Sequence, residues 1–265
     1  MNRPIIDANV YLSRWPLRRL PCDRAPDLAS KLRGGGVACA WAGSFDGLLH
    51  RDVAGVNARL AHACHTHGEG FLIPFGTVNP ALPDWQEDLR RCREQHHMPG
   101  VRLHPNYHGY TLDDPRFLQL LRRADEARMI VQIVLTMEDE RMQHPLLRVP
   151  HVDTAPLPDA LQDLPDLRIV LLNAFRSLRP HQVRPLVEAG RVHVDIAMLE
   201  GIDGLRKLLN DVPLERILFG SHFPLFYFES ALFKLREAAL GGAAIQTICW
   251  DNPASLLSEG IPGRR

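Results

Sequence analysis

Eight short runs of β-branched and apolar residues recur along this chain, each followed by a helical pattern, and this alternation constrains the fold more than any other feature. The runs cover 5–10, 37–42, 71–78, 100–104, 130–135, 168–172, 192–198 and 217–220. Parallel strands buried on both faces read as near-continuous hydrophobic stretches, because helices cover one side and side chains fill the other. Eight such units in 265 residues predict an α/β chain forming one (β/α)8 TIM barrel, a single domain over 1–265. In that architecture, chemistry gathers where the strands end, at the C-terminal face.

The helical stretches place the loops. Val53, Val56, Leu60 and Cys64 recur at helical spacing until Gly68 and Gly70 stop them, and a helix opens at Pro83-Asp84 and carries Leu89, Cys92 and Arg93. Asp113 or Asp114 caps the next, with Pro115 in its first turn and Phe117, Leu120, Leu121 and Ala124 facing inward. Leu232, Leu235 and Ala239 mark the helix after the eighth run, and Asn252-Pro253 starts a final one. The long fifth connection, with Pro145, Pro150, Pro156 and Pro158, is the kind of loop that often serves binding. Glu138, Asp139, Arg141 and His144 sit at its start, just past a strand's C-terminal end.

Charge narrows the partners. Lys plus Arg number 31, as do Asp plus Glu, so no net field attracts nucleic acid or an anionic membrane. A small-molecule substrate is the expected partner, and barrels of this size offer outer helices for homo-oligomerisation. Met1-Asn2-Arg3-Pro4 runs into the first strand without an apolar leader, and no span of about 20 apolar residues follows, so the expected location is cytoplasmic. Cys22, Cys39, Cys64, Cys92 and Cys249 never form a Cys-x-x-Cys pair, which argues for reduced thiols over disulfides or a zinc ribbon.

Five segments in order resemble the amidohydrolase-related family, the (β/α)8 metal-dependent hydrolases that also include carboxy-lyases such as aminocarboxymuconate semialdehyde decarboxylase. They are Ile6-Asp7-Ala8-Asn9-Val10-Tyr11, Phe75-Gly76-Thr77-Val78-Asn79-Pro80 with Pro83-Asp84, Pro99-Gly100-Val101-Arg102-Leu103-His104-Pro105, Ile217-Leu218-Phe219-Gly220-Ser221-His222-Phe223-Pro224, and Asn252-Pro253. The resemblance implies a His-x-His pair at strand one, histidines after strands five and six, and an aspartate at strand eight, together holding a zinc-like ion. Here those positions fall on Asn9 and Tyr11, on or near Leu135, on Asn173 and on His222. Leucine cannot bind a metal and neutral asparagine is a poor zinc ligand, so no metal is expected at the usual positions.

Three readings follow. In the first, the chain is a metal-free hydrolase of a small carboxylated substrate such as a lactone or amide, as the resembling pyrone dicarboxylate lactonases do without an ion. His222 is then the general base. Asn9, Tyr11 and Asn173 supply hydrogen bonds to a carbonyl or oxyanion, and Arg102 or Arg141 clamps the substrate carboxylate, with His104, Glu138 and Asp139 also at the substrate. In the second, a single divalent ion moves to His104, His108, His144 and His222, with His151 nearby, among thirteen histidines in all. In the third, the barrel binds a small molecule without catalysis. Decarboxylation is the alternative reaction. Strand parity sets Asp7, Asn9 and Tyr11 on one face, which the resemblance makes the interior. Asp195 is an inward carboxylate satisfied by neighbouring donors or paired with a cation, and Gly34-Gly35-Gly36 is a turn on the opposite, stability face.

Overall fold

A computed structural model describes residues 4–68 and 70–259; residues 1–3 of the expected leaderless start lie outside them. Eight parallel strands form one sheet in chain order: β1 (Ile5–Leu12), β2 (Val37–Ser44), β3 (Leu72–Thr77), β4 (Gly100–Leu103), β5 (Ile130–Val134), β6 (Arg168–Leu172), β7 (Arg191–Asp195) and β8 (Ile217–Leu218). With helices between them, the chain is a (β/α)8 TIM barrel. The ring closes just past β8, where Ala8 N–H donates to Phe219 O (2.9 Å), His222 N–H to Asn9 O (2.8 Å) and Tyr11 N–H to Phe223 O (2.9 Å). Closure and His222 thus belong to one segment.

Two apolar layers follow from the twofold repeat of the strands. Ile130, Val134, Val170, Leu172 and Leu218 pack inside the ring, while Val131, Ile133, Ile169, Leu171 and Ile217 pack outward against helices such as Pro115–Glu126. Asp114 caps that helix, accepting from Arg116 N–H at 2.8 Å. The expected final helix differs: helical structure begins at Gly242, passes through a π-helical stretch over Thr247–Asp251 and continues as Asn252–Ser258. Pro253 has no N–H for the carbonyl four residues back, and a widened turn accommodates that loss within a continuing helix.

β1 breaks the parity expectation. Its pairing to β2 shifts register between Asp7 and Val10, so Ile6, Ala8 and Tyr11 join the inner cluster while Ile5, Val10 and Leu12 face outward. Asp7 leaves the row predicted for it. Its Oδ1 instead accepts from Asn9 N–H (3.1 Å) and Ser221 N–H (3.0 Å), tying β1 to the closing segment. A bulge of this kind turns carbonyls away from the ladder, and the interior answers it. Arg102 on β4 donates to Val10 O (2.7 Å), Ala8 O (3.3 Å) and Trp41 O (3.0 Å), and its Nε to Gln132 Oε1 (2.7 Å). Gln132 Nε2 adds a bond to Ala8 O at 3.0 Å.

Candidate active site

Beyond the C-terminal ends of the strands, polar side chains from six segments meet. Asp195, ending β7, is their hub: its Oδ2 accepts from Asn9 Nδ2 at 2.7 Å and its Oδ1 from Asn173 N–H at 2.9 Å. Asn9 Nδ2 also donates to Asn173 Oδ1 (2.8 Å), and Asn173 Nδ2 donates to Thr136 O (2.8 Å). Asn173 follows β6 at φ 58°, a left-handed conformation that asparagine tolerates better than most residues. His222 has φ 57°, held by the closure bonds on either side.

His222 Nε2 lies 2.7 Å from Met137 O. A carbonyl only accepts, so the proton is on Nε2 and Nδ1 carries the lone pair. Asn173 Nδ2 is 3.4 Å from both ring nitrogens of His222, so it lies across the imidazole and does not single out the Nδ1 lone pair; its hydrogen bond goes to Thr136 O. Tyr11 O–H is 3.0 Å from His104 Nε2, while its ring stacks on Phe45 (4.7 Å between centroids) and meets the His222 ring edge-on (5.5 Å). The Arg102 guanidinium lies 4.5 Å from the Tyr11 ring centre.

Asn9, Tyr11, His104, Asn173, Asp195 and His222 are each 0% exposed, and burial dominates their protonation. It pushes the His222 imidazole down to about 3 and His104 well below its ordinary value, so both rings are neutral near pH 7. It pushes Asp195 up to about 6, against the hydrogen bond from Asn9, and Asp7 up to about 7. Four buried polar atoms here have no protein partner: Asp7 Oδ2, Asn9 Oδ1, Trp15 Nε1 and His104 Nδ1. Such groups cost about 1–3 kcal/mol each when unpaired, so a polar guest binding among them would be stabilised.

The cover is apolar with one ionic latch. Trp15, Phe45, Leu48 and Met137 are buried over the cluster, with Leu17, Leu20 and Tyr107 packed against them. Arg18, on the loop after β1, donates to Glu138 Oε1 at 2.6 Å; Glu138 is 3% and Arg18 39% exposed.

Several expected roles are corrected. Arg102 is wholly buried with its donors spent on barrel carbonyls and Gln132, so it braces the β1 bulge and is not free to clamp a substrate. Arg141 is 79% exposed, and Asp139, two residues before it, holds both its Nε (2.9 Å) and Nη2 (2.6 Å). That hydrogen bonding keeps the part-buried Asp139 well below the usual carboxylate range. Neither faces the cluster through any contact. Glu138 is at the mouth, but as partner of Arg18. The relocated metal site fails too: His144 Nδ1 accepts from Leu146 N–H on an exposed turn, His108 Nε2 engages Gly47 O at 2.9 Å, and His151 lies 3.8 Å from Glu140. Among the described residues no group of three His, Cys, Asp or Glu could hold a metal ion. At the positions that the resemblance assigns to metal ligands, the amide nitrogens of Asn9 and Asn173 and Nε2 of His222 donate to Asn173, Asp195, Thr136 and Met137 oxygens.

Sequence reasoning grouped Asn9, Tyr11, Asn173 and His222, which the structure brings together, and did not flag Arg18, whose arginine-rich loop carries no periodic signal. It also missed Gln132, which a polar residue inside an apolar strand run could have flagged. Asp195 took the commoner of its two readings, a carboxylate satisfied by donors.

A family model described as amidohydrolase matches residues 16–258. No curated protein matches the chain by sequence. Among solved structures, a dihydroxybenzoic acid decarboxylase from a Polaromonas species, with bound manganese and 2-nitroresorcinol, superposes with a TM-score of 0.78 at 12% identity, covering 99% of this chain and 100% of that one. A 5-carboxyvanillate decarboxylase from Sphingomonas paucimobilis gives 0.76 at 13%, covering 96% and 99%. A protein from Pseudomonas putida assigned as a 2-pyrone-4,6-dicarboxylic acid hydrolase gives 0.67 at 20%, covering 97% and 98%. Identities this low establish shared fold alone.

Proposed function

This chain belongs to the amidohydrolase family, and from that we propose that it hydrolyses a small carboxylated ring compound, a lactone or similar ester, through His222 and neutral donors without a metal ion. The observation that supports this reading is the orientation of His222: Nε2–H is fixed on Met137 O, leaving Nδ1 as the lone-pair nitrogen, with the Tyr11 ring edge-on to the imidazole and Asn173 Nδ2 equidistant from its two nitrogens. Once the cover opens and water enters, the desolvation that depresses this imidazole is relieved, and its basicity rises toward the ordinary 6.5 that suits a general base.

Nδ1 takes a proton from water as its oxygen bonds to the ring carbonyl carbon, and the developing oxyanion accepts from the Asn173 amide and the Tyr11 hydroxyl, which His104 orients. Collapse breaks the bond to the ring oxygen, which receives the proton from His222. Asp195 keeps both asparagine amides aimed inward. Decarboxylation is the second reading, supported by the decarboxylases of the same fold and by Tyr11–His104 as a proton relay to a ring carbon.

The test is loss of pyrone absorbance on adding 2-pyrone-4,6-dicarboxylate in the presence of EDTA, with headspace CO2 measured in parallel. Hydrolysis that falls by about 10²-fold or more in His222→Ala supports the reading. CO2 release in place of ring opening, or turnover indifferent to His222, overturns it.

A further inference from the structure

Glu138, on the loop after β5, occupies the position a substrate carboxylate would need, next to a residue that orients the imidazole. The Met137 carbonyl is bonded to His222 Nε2 at 2.7 Å. The Glu138 carboxylate is bonded to Arg18 at 2.6 Å. One step earlier, Thr136 O accepts from Asn173 Nδ2 at 2.8 Å, and Thr136 Oγ1 donates to Glu138 O at 3.2 Å, anchoring the segment. A carboxylate on a guanidinium at the barrel mouth is the contact that the proposed substrate class would make. The surroundings suit a flat ring as well: Tyr11, Trp15, Phe45 and Met137 are buried side by side.

We infer that Glu138 is a built-in mimic of the substrate's carboxylate, that Arg18 is the receptor for that carboxylate, and that binding proceeds by exchange of the one for the other while Met137 O stays on His222 Nε2. The inference rests on the proposed hydrolysis for the location of the site, but not for the chemistry performed there. Arg18 is suited to the exchange. Its guanidinium is partly exposed while Glu138 is almost wholly covered, so an anion from solvent can approach the arginine side first. A guanidinium also offers a planar pair of donors that matches a carboxylate. Arg102 and Arg141 are engaged elsewhere, as described above, and Arg176 is held by Glu140 and Asp139. Self-occupancy lowers apparent affinity by the fraction of molecules whose latch is open, and it selects for ligands bearing a carboxylate because only these replace what Glu138 gives up.

The test uses isophthalate, a flat dicarboxylate with no scissile ester, titrated calorimetrically into the full chain. Glu138→Gln, which removes the competing charge, is expected to bind isophthalate at least tenfold more tightly than the unaltered protein, and Glu138→Asp, which withdraws the carboxylate, to fall between. Arg18→Ala is expected to weaken isophthalate at least tenfold, also in the Glu138→Gln background, while benzamide, which has no carboxylate, is unaffected. Equal isophthalate affinity for Glu138→Gln and the unaltered protein overturns the inference, as does an Arg18→Ala, Glu138→Gln double variant that binds as well as Glu138→Gln alone. Thermal unfolding of each variant confirms folding, and if Arg18→Ala is unfolded, Arg18→Lys, which keeps the charge and loses the fork, must weaken binding in its place. Tightened binding without pyrone hydrolysis sinks the proposed reaction and leaves the mimic standing. Hydrolysis with an unchanged KM in Glu138→Gln does the reverse.

Discussion

Replacing Asn9 with leucine, which is close in size and carries no donor, tests whether the amide cluster is the keystone of the barrel mouth. The two Nδ2 hydrogens of Asn9 serve Asn173 Oδ1 at 2.8 Å and Asp195 Oδ2 at 2.7 Å, and both acceptors are wholly buried. Orphaning the neutral amide oxygen costs about 1–3 kcal/mol, and losing a bond to a charged acceptor about 1.5–3 kcal/mol. Against this, Asn9 Oδ1 has no partner, so removing it recovers about 1–2 kcal/mol. The net loss is about 2–4 kcal/mol, or roughly 6–12 °C in Tm for a chain of this size. The loss also depends on pH. Asp195 titrates at about 6 when folded against 3.8 in the reference state, and the Asn9 hydrogen bond lowers it, so the variant's folded value rises further. A raised folded pKa gives stability that is complete below the unfolded value and lost as pH rises through the folded one. Urea unfolding should therefore show a larger difference between Asn9→Leu and the unaltered protein at pH 8 than at pH 5. No loss at either pH, or an equal loss at both, refutes the argument.

Arg102→Ala should destabilise by at least about 3 kcal/mol in chemical denaturation, since it opens a cavity and strands Val10 O, Trp41 O and Gln132 Oε1; a fully stable variant that has merely lost substrate affinity would return Arg102 to the role of clamp. Arg141→Ala should leave both Tm and ligand affinity where they were, because that side chain is exposed and meets only Asp139 and solvent; weakened binding of a carboxylate would contradict this. On acidification from pH 6.5 toward 4.5, four buried histidines with depressed values, His104, His108, His193 and His222, cost stability, which is complete above about 6.5 and lost as pH falls toward their folded values. Asp7 and Asp195 act in the opposite sense, but the four imidazoles outnumber these two carboxylates and the unfolded chain binds more protons over this range, so the urea midpoint should fall, and a midpoint that rises would show the sign to be wrong. In Gly220→Ala the new methyl would meet Asp195 Oδ2 at 2.6 Å and Asn9 Cβ at 3.1 Å, and lowered Tm with impaired turnover is expected.

The strands were legible because burial on both faces leaves an unbroken apolar run, and β6 matches its predicted bounds over Arg168–Leu172. β8 was legible only as a short run, since the chain after Leu218 leaves the regular ladder to close the ring and carry His222. The bulge in β1 was invisible: parity assumes a constant repeat, and the residues that signal its failure, Arg102 and Gln132, lie on other strands. The five replaced ligand positions were readable one by one, but not that Asn9 and Asn173 bond to each other and to Asp195 while Tyr11 turns to His104. Arg102 misled for the same reason, because an arginine next to a strand end looks identical in sequence whether its donors meet substrate or backbone carbonyls.

An imidazole and neutral amides line the mouth of this barrel, whereas a dihydroxybenzoic acid decarboxylase of the same fold binds manganese. Metal content is therefore to be measured by mass spectrometry on the same purified preparation whose pyrone turnover is assayed before and after exhaustive chelation. Metal-free hydrolysis through His222 requires turnover that is unchanged by chelation and by added manganese or zinc, with metal far below one equivalent per chain. One equivalent of a divalent ion whose removal abolishes turnover and whose return restores it would refute it.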